Sequence, residues 1–487
     1  MAGIAGAMVN DEKIVDKILE RIKHRGSKKK LISIGNNVII GCCLLPTEAK
    51  SEGRVFTKRN NFLAAIDGIV FDKDKICLDA SSVLIEIYKT FGTDVLNKLD
   101  GNFVFALETK DDIILGRSHV GAHPLYYGFK DGNLLFSSEA KGLIGIVNKI
   151  EELKPGELFS LKNGLQEIPY STGIVPSFRG FEEAAQILKE LLDNSVKRLL
   201  SDGLVDGALL SGGLDSSVVA YLASKYKTNL DTYALGIIDD GDIPYANKMA
   251  KFIKSHHRQI IINDEEIKRI LPNAIYHLES FEESCVHGAI ANYLVGEFAA
   301  KNGATCLLCG EGADELLGGY SQLKFVESKE ELEEILGNLI FSSYMSSLLR
   351  LDRSFSAHSI EYRAPFLDKH VVDFCLKIPI NWKIYGHKKI EKWLLKKAFE
   401  NDLPKSIVQR KKVRFAEGTG VTNITKKITE NYSIEKTKLN QKLNINWQFS
   451  SSSEMYYYQL FKDFFSKGQF EKLVHKWNPL SLDYKTT

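Results

Sequence analysis

SGGLDSS at Ser211–Ser217 is the stretch that decides the fold. It follows an apolar run at 204–210 and precedes the apolar-periodic stretch SSVVAYLASKY, so the local pattern predicts a strand, a tight glycine turn and a helix. Gly212 and Gly213 let the backbone bend sharply and approach a ligand closely. The serines and the N-terminus of the helix offer hydroxyl and N–H groups to an anion. The stretch therefore predicts a phosphate-binding loop.

This loop is not of the Walker type, because no GxxxxGK[ST] pattern occurs in the chain and no lysine closes the loop. Asp215 would repel phosphate unless it holds a magnesium ion that the phosphates also bind. The loop resembles the pyrophosphate-binding loop of ATP pyrophosphatases. The resemblance implies a site for ATP and its pyrophosphate at Ser211, Gly212, Gly213, Leu214, Asp215, Ser216, Ser217, Leu235, Gly236 and Gly310.

The sequence around the loop predicts an α/β domain. An amphipathic helix is expected at 182–200, and strand-like runs at 231–237, 258–262 and 305–309 alternate with helical patterns. Such alternation predicts a doubly wound parallel sheet, in which ligands bind at the carboxyl ends of the strands. SGGLDSS and the residues after Cys309 both follow strands, so we expect them to face one crevice.

The residues after Cys309 are GEGADELLGGY, 310–320. Glu311, Asp314 and Glu315 lie within five positions, and carboxylates packed so closely are costly to hold together without a cation. A magnesium ion bridging Asp215 and Asp314 would relieve the repulsion and also bind phosphate. We therefore expect Asp215 and Asp314 to be the metal ligands.

The first 170 residues have a different pattern. Short strand-like runs such as NFLAAIDGIVFD are separated by NN and DG turns, with helices expected at 14–23 and 81–91, which is typical of an α+β domain. A stretch rich in proline and glycine at 154–180 indicates a linker. We place the domain boundary near residue 170.

Several motifs resemble the class B, glutamine-hydrolysing type of asparagine synthetase. They are MAGIAG, HRG, LDGNFVFAL, GRSHVGAHPLYYG, GEGADELLGGY and LDRSFSAHSIEYRAPFLD. The resemblance implies an N-terminal-nucleophile-type sandwich at 1–170 and a doubly wound ATP-pyrophosphatase-type synthetase domain at 171–487.

The glutaminase half departs from that family. The family's nucleophilic Cys at position 2 is Ala2 here, and a methyl group has no nucleophilic atom. Leu44 stands where the family has the arginine that clamps the glutamine carboxylate. The other positions that depart from the family's glutamine pocket are Asp67, Ile69 and Ala80. The pattern predicts a natural pseudo-glutaminase.

The synthetase half keeps the family's motifs. The resemblance implies that Lys412, in QRKKVRF, is catalytic and neutralises charge on the α-phosphate and the leaving pyrophosphate. Glu311 is the second candidate catalytic residue. HKKIEKWLLKKAFENDLP, 387–404, is expected to be a helix closed by a proline. Glu361 and Arg363 either form a structural ion pair near the crevice or contact substrate, and Asp368 is the third candidate for substrate contact.

The resemblance implies an ATP-dependent amide-forming ligase that uses Mg²⁺. It would adenylylate a carboxylate, with aspartate as the expected acceptor, release pyrophosphate, and then transfer ammonia or an amine to give AMP. A β-lactam-synthetase-like intramolecular ligase, a tRNA-base-modifying enzyme built on the same loop, and an inactive scaffold are the alternatives. The intact Asp215, Asp314 and Lys412 argue against the scaffold.

Composition limits the partners. Lys plus Arg is 64 against 62 for Asp plus Glu, a net charge of +2, so no global basic field favours nucleic acid. No run of 18 apolar residues occurs, so we expect a cytoplasmic protein without a membrane partner. The seven cysteines are few and irregularly spaced, which predicts free thiols. The expected partners are a carboxylate and an ammonia or amine donor, and the candidate assemblies are a homodimer or a complex with an ammonia-supplying protein.

Overall fold

The computed structural model describes residues 2–8, 11–26, 29–34, 38–48, 51–237, 241–430, 447–466 and 470–480. Within these ranges, the first part of the chain forms two antiparallel sheets and three α-helices. Its strands are β1 (Gly3–Ala7), β2 (Lys29–Ile34), β3 (Ile39–Leu44), β4 (Phe56–Arg59), β5 (Phe62–Asp72), β6 (Lys75–Ile76), β7 (Gly101–Glu108), β8 (Ile113–Arg117), β9 (Tyr126–Lys130), β10 (Asn133–Ser137), β11 (Ile150–Glu152), β12 (Glu157–Ser160) and β13 (Gly164–Glu167). Its helices are α1 (Glu12–Arg21), α2 (Ala80–Phe91) and α3 (Val95–Lys98).

The two sheets form a sandwich. One has the order β11-β9-β10-β1-β3-β2, and the other has the order β13-β12-β8-β7-β5-β4, with β6 paired to β5. Alternate side chains of each sheet point inward, so residues such as Ile4, Ile40, Ala65 and Val104 form one apolar core between them. This arrangement confirms the expected N-terminal-nucleophile-type sandwich.

The rest of the chain forms a parallel sheet surrounded by helices. Its strands are β14 (Gly207–Leu209), β15 (Asp231–Gly236), β16 (His256–Ile261), β17 (Cys306–Leu308) and β18 (Glu361–Arg363). Its helices are α4 (Phe181–Leu199), α5 (Leu214–Tyr226), α6 (Ile243–Ile253), α7 (Asp264–Leu278), α8 (Glu283–Lys301), α9 (Ala313–Leu317), α10 (Lys329–Ser342), α11 (Ser347–Ser356), α12 (Lys369–Lys377), α13 (Ile380–Lys383), α14 (Trp393–Ala398), α15 (Lys405–Val408), α16 (Phe415–Gly418), α17 (Val421–Thr429) and α18 (Ser452–Phe465).

The sheet order is β16-β15-β14-β17-β18, and all four pairings are parallel. The doubly wound sheet is therefore confirmed. The order reverses between β14 and β17, and ligands of such sheets bind where this reversal opens a crevice at the carboxyl ends of the strands. The two motifs found in the sequence follow these two strands.

The prediction of one helix over 387–404 is wrong, because the observed helix is much shorter. The helix α14 has only six residues, Trp393–Ala398, and the preceding segment instead forms a bridge between Tyr385 and Ile390. Lys389 and Lys392 both have positive φ, 44° and 54°, which a continuous helix cannot contain. The boundary near 170 remains a prediction: β13 ends at Glu167 and α4 begins at Phe181.

Candidate functional site

The phosphate-binding loop connects β14 to α5. Gly212 has φ +70°, and a Cβ there would lie 2.4 Å from the backbone of Tyr245 and Ala246. Only glycine fits this position, because the loop must turn in the left-handed region while α6 packs against it. The Ser211 backbone N–H donates to Ser216 Oγ at 3.2 Å, which keeps the loop compact ahead of the N-terminus of α5.

The acidic loop after β17 contacts the phosphate-binding loop directly. A Cβ on Gly310 would lie 2.8 Å from the backbone nitrogen of Ser216 and 3.0 Å from Cβ of Asp215. The two loops are therefore in backbone contact at the point where the strand order reverses. This contact brings Asp215 and Asp314 to the same crevice, as expected from the topology.

Two lysines lie between the two aspartates. Lys392 Nζ is 2.5 Å from Asp215 Oδ2 and 2.5 Å from Asp314 Oδ1. Lys412 Nζ is 2.6 Å from Asp314 Oδ2 and 3.6 Å from Asp215 Oδ2. Burial disfavours the charged carboxylate, but Lys392 and Lys412 hold the pKa of Asp314 below its usual value. Likewise burial would lower the pKa of Lys412, yet Asp314 and Asp215 raise it.

The sequence did not predict Lys392. It is almost fully buried, with its side chain 3% exposed, and its left-handed backbone directs the ammonium between the two carboxylates. Arg410 is a second residue missed from sequence: it donates to the Ser211 carbonyl at 3.3 Å and to Asp242 Oδ1 at 2.6 Å. Both residues add positive charge around a loop that is expected to bind phosphate.

Glu311 lies in the same crevice but has a different environment. Its carboxylate accepts from Arg350 Nη2 at 3.0 Å, while Glu315 is held by Tyr320 and Ser347 at 2.6 and 2.7 Å. Burial, together with the charges of Glu315 and Asp314, raises the pKa of Glu311 to about 7 against the opposing charge of Arg350. Glu311 can therefore hold or release a proton near neutral pH.

These groups line a cavity of about 390 Å³. Ten of the predicted site residues line it: Ser211, Gly213, Leu214, Asp215, Ser216, Leu235, Gly310, Glu311, Asp314 and Lys412. Gly212 and Ser217 belong to the loop without lining the cavity, and Gly236 ends β15 beside it. A cavity of this size accommodates a small-molecule ligand.

The three candidates for substrate contact do not line this cavity. Glu361 pairs with Arg363 and with Arg54 of the sandwich, both at 2.7 Å, as the structural alternative expected. Asp368 pairs with Arg198 at 2.7 Å and caps α12. All three side chains are buried, and these ion pairs already satisfy their charges.

The altered glutaminase positions are closed to solvent or nearly so. Ala2 and Leu44 are fully buried in the core between the two sheets. Asp67 forms an ion pair with Arg25 at 3.3 Å, Ile69 packs against the parallel-sheet part, and Ala80 packs beneath β5. The pocket positions are thus occupied by packing and ion pairs.

Asp215 and Asp314 have the donor chemistry that a magnesium ion requires. Within the described ranges, no three His, Cys, Asp or Glu side chains converge as a preformed metal site. Magnesium, however, usually takes only one or two carboxylates and completes its shell with phosphates and water. Asp215 Oδ1 is buried and accepts no hydrogen bond from any described residue, so it is free to act as such a ligand.

The described cysteines are all unpaired and buried, which confirms the expected free thiols. Burial raises the pKa of Cys309 and of Cys306, so neither is a reactive thiolate. Across the described residues, no helix combines the length and apolar character needed to cross a bilayer.

The fold defines a two-part protein, in which an N-terminal-nucleophile-type sandwich precedes an ATP-pyrophosphatase-type domain. The family model described as asparagine synthase matches residues 187–337 and 324–483, and the glutamine amidotransferase domain matches 1–172. The chain belongs to the asparagine synthase family. Membership establishes an ATP-dependent ligase that forms an amide.

Relatives match most of the chain. The glutamine-hydrolysing asparagine synthetase of Bos taurus is 33% identical, covering 82% of this chain and 78% of the relative. That of Zea mays is 31% identical (82% and 72%), and asparagine synthetase B of Escherichia coli is 26% identical (91% and 86%). Among solved structures, glutamine phosphoribosylpyrophosphate amidotransferase from B. subtilis aligns over 53% of this chain and 65% of that one, with 14% identity and a TM-score of 0.30.

Proposed function

We propose that this chain adenylylates a carboxylate, with the side chain of aspartate as the first candidate, and joins it to ammonia or an amine without hydrolysing glutamine. The observation that carries the proposal is the convergence of Asp215, Asp314, Lys392 and Lys412 at the reversal point of the sheet. Such a cluster suits the triphosphate of ATP, because it offers two cations and two ligands for a magnesium ion.

The first step would be attack of a substrate carboxylate oxygen on the α-phosphorus. The new O–P bond forms as the bond to the leaving pyrophosphate breaks, and negative charge accumulates on the pyrophosphate. Lys392 and Lys412 lie where they can neutralise that charge, and the backbone of the loop before α5 can hold it. Magnesium, held by Asp215 and Asp314, would supply further positive charge to the phosphates.

In the second step the nitrogen nucleophile attacks the acyl carbon of the adenylate, loses a proton, and displaces AMP. Glu311 would accept that proton, and two observations support this role: it lies on the cavity wall, and Arg350 orients it at 3.0 Å. Three nitrogen nucleophiles are compatible with this step: free ammonia, ammonia from a partner protein, and an amine within the substrate.

ATP–pyrophosphate exchange tests this proposal. Purified protein is incubated with Mg-ATP, labelled pyrophosphate and one carboxylate at a time, and exchange is expected only with the correct acid, led by aspartate. Product formation is then compared with and without ammonium. A product that forms without ammonium would favour the β-lactam-synthetase-like alternative, exchange that requires tRNA would favour a tRNA-modifying enzyme, and absence of exchange with every acid would overturn the proposal.

Restoring the nucleophile should not restore glutaminase activity. Ala2→Cys would replace only the missing thiol, whereas Leu44 still fills the place of the carboxylate clamp and Ala2 lies fully buried in the core. We expect glutamate release from glutamine to stay at the no-enzyme background for both the wild type and Ala2→Cys. Glutamate release by the wild type would contradict the prediction that the chain has no glutaminase activity. Glutamate release by Ala2→Cys alone would show that the glutamine-binding pocket is intact.

A further inference from the structure

One side of the cavity is an apolar slot. Leu209 from β14, Tyr233 and Leu235 from β15, and Val295 from α8 line it. These residues are brought together because Leu209 pairs with Tyr233 across the sheet, and because α8 packs on β15 with the rings of Tyr233 and Phe298 6.3 Å apart. A flat aromatic base fits such a slot, since binding sites for small molecules are mostly apolar with a few oriented polar groups.

Asn292 is a polar residue of α8 at this slot. It lies one turn before Val295, lines the cavity, and is only 4% exposed. Among the described residues, none forms a hydrogen bond with the side-chain amide of Asn292, although most buried polar side chains have a hydrogen-bond partner. An amide carries two donor hydrogens and an acceptor oxygen, and here they are available to a ligand.

The nucleotide orientation follows from the two loops. If the triphosphate occupies SGGLDSS beside Lys392 and Lys412, the base must extend along the cavity, and the apolar slot at the ends of β14 and β15 is the part suited to it. Adenine presents a donor and an acceptor, N6–H and N7, side by side, and the side-chain amide of asparagine pairs with both. Guanine presents two acceptors, O6 and N7, at the same edge. The side-chain amide oxygen of asparagine would therefore face guanine O6, and two acceptors cannot form a hydrogen bond.

We propose that Asn292 recognises the N6/N7 edge of adenine and thereby selects ATP over GTP. This inference rests on the proposed function, because it assumes that the cavity binds a nucleoside triphosphate. It assigns a specificity role to a residue outside the loop motifs. A site built to hydrogen-bond a ligand group also discriminates strongly against ligands that lack it, because its own buried polar atoms are then left unpaired.

The variant Asn292→Leu removes both polar atoms at nearly constant volume. Its affinity for ATP is expected to fall about tenfold, while its affinity for GTP and for purine riboside triphosphate, which lacks the 6-amino group, changes less than about twofold. Titration calorimetry on the full chain with Mg²⁺ and each nucleotide measures this without any acceptor acid. Asn401→Leu, at an exposed asparagine away from the cavity, is the matched control and should bind like the wild type.

The outcomes separate this inference from the proposed function. An ATP-to-GTP preference that falls towards one in Asn292→Leu but not in Asn401→Leu supports the role of Asn292. Unchanged ATP affinity, or an equal loss for all three nucleotides, overturns it. If the wild type binds ATP but no acid supports exchange, the proposed function fails while calorimetry still decides the role of Asn292. Failure of the wild type to bind any of the nucleotides would overturn both.

Discussion

Lys412→Ala is expected to lower ATP–pyrophosphate exchange by about 10²–10³-fold, in the range lost when one preorganised donor to a developing charge is removed. The Lys412 side chain reaches both aspartates, at 2.6 and 3.6 Å, yet remains partly exposed to the cavity. Its ammonium can therefore move from the carboxylates to phosphate oxygens when nucleotide binds. ATP affinity should change only a few-fold, because Lys392, Arg410 and the loop before α5 remain.

The control variants test position as well as charge. Lys405→Ala removes an exposed lysine at the start of α15, away from the cavity, and should leave exchange unchanged. Lys412→Arg keeps the charge but replaces a compact ammonium by a planar fork, so it should recover only part of the rate. Exchange by Lys412→Ala within tenfold of the wild type would remove Lys412 from the mechanism.

The sequence predicted the parts of the site that depend on strand ends. Asp215 and Asp314 each follow a buried apolar run and glycine turns, and the reversal of a doubly wound sheet brings two such points together. This inference requires only the local sequence pattern and a general rule of sheet topology. It does not require knowledge of which side chains are in contact.

Lys392 was missed because local pattern and tertiary environment disagree at this position. Its neighbours have the spacing and helix-forming residues of a helix over 387–404, whereas the backbone adopts φ 54° at Lys392 and starts α14 at Trp393. The attraction of two partly buried carboxylates offsets the cost of the left-handed conformation, which is of order 1–3 kcal/mol. The available signal was charge: two neighbouring aspartates favour nearby cations, but a single sequence does not show which lysine supplies the charge.

For Glu361 and Arg363 the sequence pattern was recognised, but the contacts that these residues make with distant segments were not predicted. Their motif was recognised and their mutual ion pair was expected, but their other partners are distant in sequence. Arg54 lies 307 residues before Glu361, and Asp202 lies 161 residues before Arg363. Contacts between such separated segments depend on how the two parts of the chain pack, and a pattern along one sequence contains no record of that packing.

The packing of the two parts depends on α11, which contacts both. Ser347 and Arg350 of this helix bond Glu315 and Glu311 of the acidic loop. Asp352, further along the same helix, accepts hydrogen bonds from both terminal nitrogens of Arg25 in the sandwich, at 2.7 and 3.1 Å. Burial disfavours the carboxylate, but Arg25 holds the pKa of Asp352 well below its usual value. The sandwich therefore fixes the helix that orients Glu311.

Arg25→Met should consequently destabilise the protein by about 3–5 kcal/mol, since it leaves Asp352 and Asp67 buried without their shared cation. Urea unfolding measures the change, and Arg59→Met provides the control, because the Arg59–Asp79 pair at 3.4 Å is more than half exposed on both sides and should contribute less than ~1 kcal/mol.

The double variant Arg25→Met/Asp352→Leu removes both members of the closest pair and should recover part of the stability lost in Arg25→Met, because one buried carboxylate no longer lacks a cation. If the cost of Arg25→Met lies in those unpaired carboxylates, the double variant must be more stable than the single one. A loss in Arg25→Met no larger than that in Arg59→Met, or a double variant less stable than the single one, would contradict this account of how the sandwich supports α11.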